Sequence, residues 1–170
     1  MKPLDLDKAL NIMPTALTLI GSSWQGRDNV MTAGWAVCCS VKPPLVSVYI
    51  YHKWLTRELI SKSGEFVVNV LAGDQVAVSG ICGTVSGREA DKYAKAKLQT
   101  RRGEKVNVPL IEGCLANLEC KVVAEYEVGD HTLFVGEIVA AHDGGRRDPL
   151  VYFERRYADI LLKPHDQTGS

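Results

Sequence analysis

Stretches in which apolar and polar residues alternate dominate this chain, and they predict strands more often than helices. Thr15 to Ser22 (T-A-L-T-L-I-G-S) mixes β-branched and apolar residues and runs into the turn Trp24-Gln25-Gly26, the pattern of a strand entering a hairpin. Asn29 to Val41 is strand-like but interrupted at Gly34, and Pro43-Pro44 ends pairing because neither residue can donate to a ladder. Leu45 to Ile50 alternates as a further strand. Leu55, Leu59 and Ile60 then fall at helical spacing, with Gly64 where a helix would stop. Glu65 to Leu71 (E-F-V-V-N-V-L) is too apolar for an exposed edge and predicts an interior strand. Helical character returns from Asp74 to Gly83. Ser86 and Glu89 have the spacing of a capping box that could carry a helix through Lys97. Gln99 to Pro109 is polar and basic and reads as a surface loop. Two strands, Cys114 to Glu127 and Thr132 to Ala141, flank the turn Val128-Gly129-Asp130. In the first of them Asn117, Glu119 and Lys121 alternate with apolar residues, which predicts one wet face. The last apolar pieces are Leu150 to Phe153 and Ile160 to Leu162.

Six or more strands broken by two or three short helices predict a mostly β fold, an antiparallel barrel with helices over its ends, in one domain spanning residues 1–170. A doubly wound parallel sheet fits poorly, because helices do not alternate with strands and no G-x-G-x-x-G occurs.

Composition narrows the partners. Lys+Arg and Asp+Glu both number 20, so no net charge draws the chain to nucleic acid or to an anionic membrane surface. No apolar run is long enough to span a bilayer, and Met1 to Asp7 lacks the basic-then-apolar pattern of a leader, so a cytoplasmic location is expected. Five cysteines are an odd number for a disulfide framework. Cys82, Cys114 and Cys120 sit among apolar residues and read as packing. Cys38 and Cys39, as strand neighbours, should face opposite sides, one thiol in the core and one at a subunit or ligand contact. No cysteine and histidine cluster has metal spacing.

The order and spacing of several pieces resemble the flavin reductase-like proteins, from Pro14 to about Tyr157. These are P-T-A-L-T-L-I, N-V-M-T-A-G-W, S-V-K-P-P-L-V-S-V, H-K-W-L-T-R-E-L-I, F-V-V-N-V-L, S-G-R-E-A-D-K-Y, L-E-C-K-V-V, G-D-H-T-L-F-V-G-E and P-L-V-Y-F. The S-G-R and D-K-Y version is most similar to the flavoredoxin branch. The resemblance implies an FMN-binding split β-barrel, antiparallel and Greek-key-like, a homodimer, and redox chemistry at the flavin. NADH or NADPH is the implied co-substrate. The rivals are a flavoredoxin-type FMN carrier reduced by another redox protein, and a flavin-binding module without catalysis.

The matched residues then acquire roles beside their ordinary ones. Thr56 stands at a helix start, where free N–H groups and the positive dipole end suit a phosphate; capping the helix would equally explain it. Lys92 would supply the matching cation, with Ser86 and Arg88 in the same cradle, although Lys92 could be a solvated helix lysine and Ser86 a cap. Asn29, Met31, Thr32 and Ala33 match the segment alongside the isoalloxazine. Trp35 would cover the ring or fill the core, and Ser40 would bond ribityl or phosphate oxygens or merely end its strand. His131, in a tight turn, is the catalytic candidate, orienting the hydride donor or stabilising charge on the reduced flavin; a solvated surface histidine is the alternative. The segment His142 to Pro149 and the tail are short for the family, leaving Phe153 and Tyr157 as the candidates for contacts from the C-terminal part.

Overall fold

The structure is a computed structural model and describes residues 2–158 and 160. Its elements run α1 (Leu6–Ala9), β1 (Thr15–Ala16), β2 (Thr18–Trp24), β3 (Arg27–Ala33), β4 (Ala36–Ser40), β5 (Leu45–Tyr51), α2 (Leu55–Ser63), β6 (Glu65–Val70), α3 (Val76–Thr84), α4 (Lys92–Lys95), β7 (Thr100–Arg101), β8 (Leu110–Ile111), β9 (Ala116–Val128), β10 (His131–Asp143), β11 (Val151–Phe153) and β12 (Arg156–Ala158). Four helices are therefore described where two or three were expected. None of the described helices is long and apolar enough to cross a membrane.

Seven strands form one antiparallel sheet in the order β3-β2-β6-β9-β10-β5-β4. The sheet curls on itself. Met31 and Ala33 of β3 share one core with Val46, Val48 and Ile50 of β5, which lies five places along the sheet, together with Ile20, Phe66, Val68, Cys120 and Phe134. The two outermost strands, β3 and β4, are not hydrogen-bonded to each other, so the barrel is split. As β6 lies between β2 and β9, the interior position expected for Glu65 to Leu71 is the one found.

The helix that bridges β5 and β6 starts and stops as its sequence requires. Leu55, Leu59 and Ile60 of α2 are buried, and Gly64 closes it with a left-handed φ of 69°, a conformation that costs a residue without a Cβ little. A second core lies on the outer face of β2 and β3. There Leu19, Val30 and Leu71 pack with Cys82, Tyr93 and Leu98 from α3, α4 and the chain that follows.

Four local expectations are corrected by packing. The helix expected through Lys97 is only Lys92–Lys95. Asp91, whose carboxylate accepts from the Tyr93 and Ala94 N–H groups, is its cap, while the Ser86 hydroxyl accepts from Arg88 N at 3.2 Å in a turn before it. The loop expected over Gln99 to Pro109 includes the short strand β7 paired with β8, and Val106 and Val108 are buried against Val67. This segment covers the face of β9 that alternation marked as wet, so Asn117 and Glu119 are buried and only Lys121 is exposed. Cys38 and Cys39 are both exposed, because a register shift between Cys38 and Ser40 disrupts strand alternation. Cys82, Cys114 and Cys120 are buried and free, as expected. Of Ile160 to Leu162, only Ile160 lies within the described residues, and it is exposed.

Candidate functional site

Where β3 passes the start of α2 and the end of α3, the surface opens into a trough with two chemically different ends. Its polar end, about 190 Å³, is lined by Asn29, Thr56, Ser86, Gly87, Arg88 and Lys92 among others. Its aromatic end, about 520 Å³, is lined by Ala33, Trp35, Tyr49, His131, Tyr152 and Tyr157 among others. Met31, Thr32, Trp54, Gly83 and Thr84 border both, so the two ends are continuous.

The polar end gathers hydrogen-bond donors and a buried cation. The first turn of α2 has Trp54 at its cap with no side-chain hydrogen bond, which leaves N–H groups at a positive dipole end. Thr56 lies in that turn, 1% exposed, and its hydroxyl accepts from Asn29 Nδ2 at 2.7 Å. It therefore does not serve as the cap. Lys92 is 6% exposed, and its Nζ donates to the Cys82 carbonyl at 2.9 Å. No carboxylate pairs with it among the described residues. Burial pushes its pKa below the ordinary lysine range, with the nearby Cys82 opposing weakly. A buried ammonium with one neutral partner is poorly compensated until an anion reaches it. Gly87 completes the cradle by close approach: a Cβ there would lie 2.0 Å from Asn29 Oδ1.

The aromatic end holds His131, the first residue of β10. Its Nδ1 lies 2.6 Å from Asp130 Oδ1, and this bond with the imidazole holds the Asp130 carboxyl below its usual range. The ring centroid of His131 is 5.1 Å from that of Trp35 and 5.6 Å from that of Tyr51. With Nδ1 engaged, Nε2 is the nitrogen left to meet a ligand. His131 is thus packed among rings instead of reaching into solvent from the turn.

The trough collects most of the residues singled out from the sequence. Asn29, Thr56, Ser86, Arg88 and Lys92 meet at the polar end, Met31 and Thr32 at the junction, and Ala33, Trp35 and His131 at the aromatic end. Asn29 thus lines the polar end and not the aromatic one. Trp35 is 45% exposed and forms a wall of the slot instead of filling the core. Ser40 lines neither cavity; it ends β4 opposite Leu45. Tyr157 lines the aromatic end, and Phe153 does not.

Sequence reasoning missed the α3 wall. Ser79, Gly80 and Gly83 line the aromatic end with little or no side chain, and Thr32 Oγ1 donates to the Ser79 carbonyl at 2.7 Å. The run S-G-I-C-G places Gly83 three residues after Gly80 and four after Ser79, a spacing of small residues along one helical face that could have disclosed the wall.

This fold, a split barrel with a polar pocket joined to an aromatic one, is that of a flavin reductase-like oxidoreductase. The chain belongs to the flavin reductase-like family, matching the domain described as "Flavin reductase like domain" over residues 10–161. An NADH-dependent flavin reductase of Rhodococcus sp. is 34% identical over 169 residues, 97% of this chain and 90% of that protein. Flavoredoxin from Methanosarcina acetivorans superposes with a TM-score of 0.85 at 28% identity, covering 98% of this chain and 96% of the other. An FMN-binding protein from Thermus thermophilus superposes at 0.82 with 28% identity, covering 96% and 97%.

Proposed function

We propose that this protein binds FMN and passes electrons from NADH or NADPH through it to free flavin or another acceptor, working as a two-fold homodimer. The observation that carries the FMN reading is Lys92, a buried cation whose only partner among the described residues is a carbonyl, facing a pocket that would suit one phosphate. Lys92, Arg88 and the first turn of α2 would hold that phosphate. Met31, Thr32 and Ala33 would flank the ring system, with Trp35 and the α3 wall excluding water around it. When bound, the flavin supplies the redox chemistry, accepting and returning electrons at its own ring. His131, oriented by Asp130, would place Nε2 at the redox end, where it can hold a proton or stabilise negative charge.

The similarity to a flavoredoxin over nearly the whole chain favours a second reading, an FMN carrier reduced by another redox protein. Anaerobic addition of NADH and NADPH to the purified protein separates the two: bleaching of the visible flavin band supports the reductase, and its persistence supports the carrier. In either case the protein is expected to release FMN, and not FAD, on denaturation, as identified by chromatography of the supernatant. Stoichiometric FAD, or no flavin uptake at all, would overturn the FMN reading.

The dimer rests on an uncovered apolar flank beside the aromatic end. Met13, Trp35, Val37 and Val128 are exposed there and line a cavity of about 700 Å³. Light scattering at micromolar concentration is expected to return twice the 18.6 kDa chain mass. A monomer would count against the dimer.

A further inference from the structure

Outside the lining of the polar end, but paired with one of its residues, stands a competitor for a bound anion. Glu58 lies in the first turn of α2, which carries the free N–H groups, and there a carboxylate occupies the same favourable field that a phosphate would seek. Arg88 Nη2 donates to Glu58 Oε2 at 3.0 Å, and Lys62 Nζ to Glu58 Oε1 at 2.7 Å. Arg88 is a lining residue of the polar end, yet its guanidinium is engaged by Glu58.

The segment that carries Arg88 is pinned by its backbone. Arg88 N donates to Ser86 Oγ, Arg27 Nη2 reaches the Gly87 carbonyl at 3.4 Å, and Gly87 abuts Asn29. The side-chain pair is not pinned in this way. Arg88 and Glu58 are 49% and 39% exposed, so the guanidinium can exchange partners at small cost.

We propose that Glu58 is an affinity-setting residue of this site. It shares Arg88 with the phosphate of an arriving ligand and opposes that phosphate by like charge, keeping phosphorylated flavin exchangeable. This inference rests on the flavin reading above. It also bears on the choice between an exchanging reductase and a permanent carrier, because affinity differences of this kind act mainly through dissociation.

The experiment compares FMN with riboflavin, which has the same ring system without the phosphate. Fluorescence titration is run on wild type, Glu58→Gln, Glu58→Ala, Arg88→Ala and the Glu58→Gln/Arg88→Ala double variant. Both Glu58 variants are expected to bind FMN about 3- to 10-fold more tightly and to release it correspondingly more slowly, with riboflavin affinity unchanged. In the Arg88→Ala background the part of the gain that comes from releasing Arg88 should vanish, and Glu58→Gln should keep only the smaller part that relief of like charge contributes. Unchanged or weaker FMN binding in the Glu58 variants overturns the proposal, as does a gain that riboflavin shares. If wild type takes up neither flavin, the flavin reading falls and this inference with it. Uptake without a phosphate-dependent gain overturns this inference alone.

Discussion

Lys92→Ala is expected to weaken FMN binding by roughly 10- to 150-fold, the range that follows from losing a charge-assisted hydrogen bond of about 1.5–3 kcal/mol. The same substitution should not cost fold stability in proportion. The ammonium it removes is buried with a carbonyl as its one hydrogen-bond partner among the described residues, so the unliganded protein loses a poorly compensated charge. Thr56→Ala should weaken FMN binding less, because it removes a neutral donor, the O–H left free while the oxygen accepts from Asn29, and no charge. His131→Ala touches the other end of the trough. It should leave FMN affinity within a few-fold while slowing flavin reduction or reoxidation. Fluorescence titration and stopped-flow reduction on the same preparations measure both quantities. If Lys92→Ala bound FMN as tightly as wild type while His131→Ala lost it, the polarity assigned to the trough would be reversed. Since burial lowers the Lys92 pKa, FMN affinity should also begin to fall at a lower pH than a solvated lysine would require.

Glu119→Leu is expected to destabilise the fold by about 3–5 kcal/mol, the cost of breaking a buried charged network on one side. Glu119 is fully buried on β9 and accepts from the N–H groups of Glu104, Lys105 and Val106 at 3.0, 2.7 and 3.0 Å, with His142 Nε2 at 2.6 Å. Burial alone would raise its pKa. The backbone and His142 hydrogen bonds together outweigh that and bring it from 4.5 to about 2. The sign follows from a folded pKa below the unfolded one. The contribution, about 3 kcal/mol for such a shift, is present above pH 4.5 and is lost as pH falls towards 2. Urea midpoints measured between pH 7 and pH 3 should therefore fall more steeply for wild type than for Glu119→Leu. Parallel profiles would show that Glu119 does not hold this segment through its charge.

The same residue marks where the sequence stops being informative. Alternation along Ala116 to Val122 placed the strand and its two faces correctly, because side-chain direction with period two is a property of the local backbone. It could not say that the polar face is covered. That depends on Val106 and Val108, remote in sequence, turning their apolar side chains onto Val67 and bringing three N–H groups to Glu119. The α4 start shows the same division. Ser86 and Glu89 had the spacing of a cap, but Gly87 is drawn onto Asn29 of β3, and the helix begins only after Asp91.

For the site, the sequence by itself determined the parts that are local: the start of α2 beside Thr56, the turn before His131, the strand carrying Asn29 to Ala33, and the flavin reductase-like resemblance carried by the order of its motifs. Only the tertiary structure decided that Lys92 is buried rather than solvated, that Arg88 pairs with Glu58, that Ser40 lies away from the trough, and that α3 forms its wall. Burial, pairing and proximity are set by segments tens of residues apart that meet when the sheet curls on itself, and the spacing of residues along one strand or helix carries no record of that meeting.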